Sequence, residues 1–303
     1  MAQSTSDVAQ GPGHSSVYSN PNGMPFANGR NLHMDLQRGD IASRIITVGS
    51  LGRAEIISSF LDVSPAPKRI TSSRGFTTIT GTYQGVEVSI VSIGMGPSMM
   101  DFFVRETRAV TPGPLIMVRF GTCGGLTETA VPGSIVVASK GSGYVTRNPD
   151  AFIHCYFDDV AAVGERPAAY NFAKVAPSNA VLSGIVMEEL SKAVGEGVVL
   201  GGLNVTAESF YSSQGRIDEA FDDENTSIVS SILAAYEGAQ SMEMETFMLL
   251  HLAKCSKVPI HATAAAIVVA NRVTNTVVEG DVLERLESSG GRAVLNAIIA
   301  MDL

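Results

Sequence analysis

The chain has 303 residues, 45% hydrophobic and 17% charged, with a net charge of −9. That supplies a large core in one α/β domain or two smaller ones, and it excludes the basic face of a nucleic-acid binder, so an anionic small molecule has to be met by local arginines. No apolar run reaches the ~18 residues of a membrane span, and no basic-then-apolar leader opens the sequence. Cys123, Cys155 and Cys255 form no CxxC pair and read as reduced thiols, which sets the expectation of a cytoplasmic chain.

In chain order, residues 1–30 are rich in Ser, Gly, Asn, Gln and Pro and predict a disordered or loosely attached extension ahead of a domain over 31–303. Ile45–Val48 reads as the first core strand, running through Gly49 to Arg53 and a helix with Ile56, Ile57, Phe60 and Leu61 on one face. A strand, a glycine turn and a helix start form an anion-binding layout, although every βα unit needs such a turn. Residues 76–93 alternate about Tyr83-Gln84-Gly85 and predict a hairpin, with Arg74 in the loop before it. A helix over 98–110 follows.

Pro114–Val118 is a short unbroken apolar run, the signature of a strand buried on both faces. It discharges into Arg119, Gly121, Thr122, Cys123, Gly124 and Gly125. A guanidinium fork and bare N–H groups at a strand's carboxyl end predict a bound phosphate or carboxylate; a solvated arginine before a tight glycine turn accounts equally for the residues. Ile135–Ala138 is a further strand. Residues 141–178 read as a long excursion with little regular structure. A helix near 179–195 and a strand within 197–206 resume the α/β rhythm.

Residues 207–216 then place Phe210, which can stack on a flat ring, beside Gln214, with a donor and an acceptor, and Arg216, a donor. They equally suit a loop with a core phenylalanine. A helix near 226–239 precedes Ser241-Met242-Glu243-Met244-Glu245 and an apolar helix over 246–255. Glu243 and Glu245 favour the helix dipole or, on alternate positions of an extended segment, face one polyol. A strand over 259–270 and a helix near 281–301 complete the chain, which shows neither an internal repeat nor a Cys/His metal cluster.

Three segments in order resemble the nucleoside phosphorylase family and, within it, the pyrimidine branch of uridine phosphorylases. Phe210-Tyr211-Ser212-Ser213-Gln214-Gly215-Arg216 is similar to Phe-Tyr-x-x-Gln-x-Arg of uracil recognition. Arg119-Phe120-Gly121-Thr122-Cys123-Gly124 resembles the phosphate strand Arg-x-Gly-Thr-x-Gly, and Glu243-Met244-Glu245 the ribose motif Glu-Met-Glu. The resemblance runs from about His33 to the C-terminus. It implies a single-domain three-layer α/β/α fold with a central mixed sheet. It further implies a pentosyltransferase of pyrimidine salvage, converting uridine and phosphate reversibly to uracil and ribose 1-phosphate, with phosphate as co-substrate and no metal or other cofactor.

On the same resemblance Gly49, Arg53, Arg74, Arg119 and Thr122 bind phosphate, Arg74 from across a subunit interface. Glu245 holds the ribose hydroxyls, with Met244 packed on the sugar and Glu243 nearby; His33 reaches the neighbouring subunit's ribose. Phe210 stacks near the nucleoside, and Gln214 and Arg216 read the uracil edge; Arg119, Gln214 and Arg216 are the catalytic set. A homo-oligomer follows, a dimer at least, with a trimer of dimers blocked if the 141–178 excursion intrudes. Asn271-Arg272 stands where purine-specific relatives carry Ser-Asp.

The chain departs from the family twice. Ser50 and Leu51 stand in the first turn where relatives carry Asp and Pro, and Gly75 replaces an acidic residue that helps bacterial relatives hold an interface cation, leaving that cation without sequence support. The alternatives are a purine nucleoside phosphorylase or a nucleosidase on the same fold, or a nucleoside-binding protein without catalysis. The guanidinium set argues against hydrolysis by water, and Gln214 with Arg216 argues against a purine.

Overall fold

The computed structural model describes residues 22–156 and 166–303. A small hairpin, β1 (Phe26–Ala27) and β2 (Arg30–Asn31), opens it. Of the expected loose extension over 1–30, residues 22–30 form this hairpin, where Arg30 donates to Asp40; residues 1–21 lie outside the described residues.

The first half continues with β3 (Arg44–Val48), α1 (Leu51–Ser58), β4 (Lys68–Thr71), β5 (Thr77–Tyr83), β6 (Val86–Ser92), α2 (Pro97–Val110) and β7 (Leu115–Gly125). The β5–β6 hairpin turns on Gln84 and Gly85, both at positive φ, the geometry that matches strand twist. Helix α2 starts at Pro97, whose missing N–H is no loss in a first turn.

The second half holds β8 (Ile135–Val137), β9 (Ser142–Arg147), β10 (Tyr170–Ala176), α3 (Ala180–Val194), β11 (Val199–Gly201), β12 (Leu203–Ala207) and α4 (Ile228–Ala235). It closes with β13 (Ala239–Glu243), α5 (Thr246–Cys255), β14 (Ile260–Asn271), β15 (Thr276–Val277) and α6 (Gly280–Ala300). The reading of 141–178 as an irregular excursion is overturned: β9 and β10 pair antiparallel, with a 3₁₀ turn at Pro149–Cys155 between them. Residues 157–165 lie outside the described residues.

One mixed sheet carries these strands in the order β10-β9-β12-β13-β7-β3-β6-β5-β4, and β14 pairs parallel with β7 along its whole length. Successive side chains of β7 face opposite layers, as a strand's period of two requires. Ile116, Val118 and Phe120 join a core built with α1, α3 and α6, and Leu115 and Met117 join one built with α2 and α5. The expected three-layer α/β/α architecture with a mixed central sheet is what forms.

Strand β7 is also where the sheet forks. Ile116 to Arg119 pair with β3 through Arg44 to Thr47, whereas Gly124 and Gly125 pair with β13. Between those stretches β7 has exchanged one neighbour for another, opening the kind of crevice in which α/β sheets hold ligands.

On the α1 side, α6 lies unusually close. A Cβ at Gly290 would stand 2.6 Å from the Phe120 ring, and one at Gly291 2.6 Å from Ile57. Gly290→Ala is expected to lower stability by about 1–3 kcal/mol through overpacking, despite alanine's better helix propensity, as a drop in the urea midpoint at constant m.

Candidate active site

A cavity of about 360 Å³ opens at the fork, within the size range of small-molecule sites. Each wall is the carboxyl end of a strand. Gly49 and Ser50 follow β3, Gly94 and Met95 follow β6, Arg119 to Gly124 are the far half of β7, Met242 to Glu245 end β13, and Val269, Ala270 and Arg272 end β14. Phe210, Gln214 and Arg216 reach in from the loop after β12.

The glycines of β7 have a different purpose from the one expected. They do not end the strand in a turn; they remain paired with β14, and the last two also with β13. A Cβ at Gly121 would lie 2.7 Å from the Arg119 guanidinium. Glycine two positions on, on the same face of the strand, makes the notch in which that side chain lies. The expectation of an N–H nest at a strand end is replaced by a mid-strand arginine folded over a glycine.

Arg119 is 5% exposed, so the solvated reading fails. Its Nε donates to Glu243 Oε2 at 2.9 Å and its Nη2 to Glu245 Oε2. Nη1 is buried and has no hydrogen-bond partner among the described residues. A buried, unsatisfied guanidinium N–H is costly and rare, and the residue that carries it lines the cavity.

The two glutamates separate in role. Glu243 accepts from Asn204 at 2.8 Å, Thr206 at 2.6 Å, the backbone N–H groups of Glu245 and Thr246, and Arg119. Its oxygens are consumed, and the two backbone bonds cap α5, so the helix-start reading holds for Glu243 and the shared polyol grip does not. Burial alone would raise its carboxyl; Arg119 and the hydrogen bonds outweigh that and hold it low. Glu245 accepts from Arg119 and from the Gly96 N–H at 2.6 Å. Burial pushes its carboxyl above the ordinary range, the Glu243 charge adding and Arg119 opposing. Of the pair, Glu245 keeps lone pairs for a ligand.

Arg53 lines the cavity with its charge already matched: Nε and Nη2 donate to Glu287 Oε1 at 3.0 and 2.7 Å. The altered first turn is closed by its own substitution, since Ser50 caps α1 by accepting from the Arg53 N–H. Gly49, Thr122 and Met244 also line the cavity. His33 and Arg74 do not. His33 hydrogen-bonds Glu106 at 2.5 Å and stacks on Phe102, and Arg74 is exposed in the turn before β5.

Arg216 lies over the Phe210 ring, 3.6 Å from its centroid, and Nη1 donates to Gln214 Oε1 at 2.7 Å and to the Phe210 carbonyl at 2.5 Å. Beside it stands Arg272, held to the Gly215 carbonyl at 3.0 Å. Burial lowers both guanidinium groups, and for Arg216 the Arg272 charge adds to that. Asn271 is buried and spent on structure, donating to the Thr127 and Ala130 carbonyls and accepting from the Val273 and Thr274 N–H groups. The sequence reading missed Arg272 and Met95 as lining residues. Each directly follows or lies near a buried strand's carboxyl end, the same signal that marked Arg53.

Cys123 also lines the cavity, but burial first and the Glu243 charge second push its thiol far above the ordinary range. It is buried and donates to the Ala266 carbonyl, whereas Cys155 and Cys255 are exposed. A thiol reagent at pH 8 is expected to titrate two cysteines in the native protein and the third only after denaturation. The fold also assembles a group with metal-ligand chemistry that the sequence did not reveal. His154, Cys155 and Asp222 are exposed and outside the cavity, with donor atoms within 4.8 Å of one another, and His154 and Asp222 hydrogen-bond at 2.8 Å.

The sequence model of the phosphorylase superfamily matches residues 43–299. The chain belongs to the phosphorylase superfamily. A solved uridine phosphorylase of the oomycete Phytophthora capsici is 45% identical to this superfamily member, covers 94% of it and 100% of itself, and aligns with a TM-score of 0.87. A Trypanosoma brucei nucleoside phosphorylase, 20% identical over 92% of this chain with a TM-score of 0.74, shares the fold. Among curated relatives, the DeoD-type purine nucleoside phosphorylase of a Geobacillus species is 30% identical over 37% of this chain and 46% of its own length. That of Streptococcus pneumoniae is 30% identical over 47% and 59%. The chain thus spans about half the length of the curated relatives it matches.

Proposed function

We propose that this cavity carries out the reversible phosphorolysis of uridine to uracil and ribose 1-phosphate. The observation that carries the reading is the Gln214 amide flanked by two guanidinium groups, Arg216 and Arg272, while the carboxylates of the cavity wall, Glu243 and Glu245, gather on Arg119. A uracil edge presents carbonyl, N–H and carbonyl. An amide offers one donor and one acceptor to that edge, and a guanidinium donates to the remaining oxygen. The P. capsici uridine phosphorylase supports the same reading.

In this reading phosphate, the co-substrate, sits between the unpartnered Nη1 of Arg119, Arg53, Thr122 and Gly49. Glu245 takes the ribose hydroxyls with Met244 against the sugar, chiefly fixing orientation. The C1′–N1 electron pair departs with uracil, C1′ gains oxocarbenium character, and a phosphate oxygen bonds to C1′. Arg216 and Gln214 donate where uracil gathers negative charge, so they favour the transition state over bound uridine. No metal or organic cofactor enters the scheme.

A second copy of the chain completes the site in this proposal, lending His33 and Arg74, which stand away from their own cavity. A cytoplasmic setting fits three unpaired cysteines. The purine reading has one support, the DeoD-type relatives. Incubation with uridine and with inosine, each with and without phosphate, decides. Phosphate-dependent uracil release with little hypoxanthine is expected. Hypoxanthine release of equal rate would establish the purine reading, release without phosphate would make the enzyme a nucleosidase, and binding without release would leave a nucleoside-binding protein.

A further inference from the structure

Arg53 and Glu287 are 234 positions apart and meet because α1 and α6 pack along one seam. Arg53 and Ile57 stand one turn apart on α1, as Glu287 and Gly291 do on α6. Ile57 meets Gly291 and Arg53 meets Glu287, one apolar rung and one ionic rung. Gly290, on the same face of α6, lets the helix settle on Phe120, whose carbonyl lies 3.5 Å from Arg53 Nη1. Helical glycines cost stability relative to alanine; two in succession here admit the approach that brings a carboxylate to Arg53.

The grip is one-sided. A single oxygen, Glu287 Oε1, takes both Nε and Nη2. The side chains of Arg53 and Glu287 are 8% and 16% exposed, so the pair is largely withdrawn from water and screening. Arg53 lines the cavity and Glu287 does not, so the carboxylate stands behind the guanidinium. Nη1 makes one long bond, to the Phe120 carbonyl at 3.5 Å, next to Arg119 on β7; the second N–H of Nη1 and that of Nη2 have no protein partner among the described residues.

We propose that Glu287 is a positioning residue for phosphate: it holds the inner edge of the Arg53 guanidinium so that the outer edge is presented to an incoming phosphate oxygen. This rests on the phosphorolysis reading above. An arginine without that backing retains its charge but must give up rotamer freedom to meet each phosphate. The loss therefore falls on phosphate and spares the nucleoside.

The test is steady-state phosphorolysis by Glu287→Ala and Glu287→Gln, varying phosphate at saturating uridine and then uridine at saturating phosphate. Glu287→Ala is expected to raise the phosphate KM about tenfold, the size of one lost charge-assisted hydrogen bond, with kcat and the uridine KM held within about twofold. Glutamine keeps an acceptor oxygen at the same reach, so Glu287→Gln is expected to raise the phosphate KM only about threefold. A phosphate KM unchanged in both variants, lowered in either, or rising together with the uridine KM overturns the role. If the alanine variant does not fold, the glutamine variant reads the same split. Calorimetric titration with inorganic phosphate separates the two levels of inference. Wild-type protein that binds phosphate more tightly than Glu287→Ala but releases no uracil sinks the activity and keeps the clamp. Wild-type protein that releases uracil while both bind phosphate equally sinks the clamp alone.

Discussion

Arg119→Ala is expected to remove phosphorolysis and to lower stability by about 3–5 kcal/mol, because it strands two buried carboxylates that share one counter-charge. Glu243 and Glu245 are 4% and 2% exposed, and Arg119 donates to both. Glu243 retains its bonds from Asn204, Thr206 and two backbone N–H groups; among the described residues Glu245 retains only the Gly96 N–H. The stranded charge therefore falls on Glu245, which takes up a proton. Arg119→Lys separates the two effects. An ammonium is a point charge without the fork that reaches both carboxylates and leaves a third nitrogen free. It restores part of the urea midpoint while phosphorolysis stays about a hundredfold to a thousandfold down. Full activity in the lysine variant would show that only the charge matters and that the unpartnered Nη1 has no part.

The second large effect belongs to Arg216. Its partners, the Gln214 side-chain oxygen and the Phe210 carbonyl, are neutral, so Arg216→Ala leaves no charge stranded; Gln214 is buried and loses one bond to its oxygen, so a drop of about 1 kcal/mol in stability is expected, far less than for Arg119→Ala. The rate is expected to fall about a hundredfold to a thousandfold, on the order of 3 kcal/mol, as for any donor aimed at charge that develops in the transition state. The phosphate KM is expected to stay put. The discriminating measurement uses 5-halogenated uridines, whose bases carry the departing charge better. The defect is expected to shrink with them, and an equal defect for uridine and the halogenated substrates would remove Arg216 from the leaving group.

What was legible in the chain was whatever is buried on both sides. Ile45–Val48, Leu115–Val118 and Ile260–Ala270 announce themselves because a central strand has no polar face. Strands β9 and β10 escaped because they lack that pattern. Strand β10 is an edge strand that exposes Asn171, Phe172, Lys174 and Val175 in adjacent pairs, and Gly143 in β9 is there to admit the Tyr236 ring, at 2.5 Å from a would-be Cβ.

The site divides in the same way. Residues carried by one local segment, such as Phe210, Gln214 and Arg216, could be gathered by reading along the chain. Contacts made across the sheet could not. The pairing of Arg53 with Glu287, the approach of Arg272 to Gly215 and the saturation of Glu243 all depend on which strands become neighbours, and the run of residues from Arg119 to Gly125 gave no sign that its glycines continue a strand.

The cavity wall carries the guanidinium groups of Arg53, Arg119, Arg216 and Arg272, and the two on the phosphate side have their charge offset on the spot. Arg53 is cancelled by Glu287 and Arg119 by its two glutamates, within a molecule of net charge −9. Neither the net charge nor these two arginines draws a dianion in from afar. Recognition is confined to the last few ångströms, where water has been shed and local dipoles count for more than the sum of charges. Added salt slows capture by proteins that draw their ligands in from afar; here kcat/KM for phosphate is expected to hold or rise as ionic strength rises, and a steep fall would show long-range attraction instead.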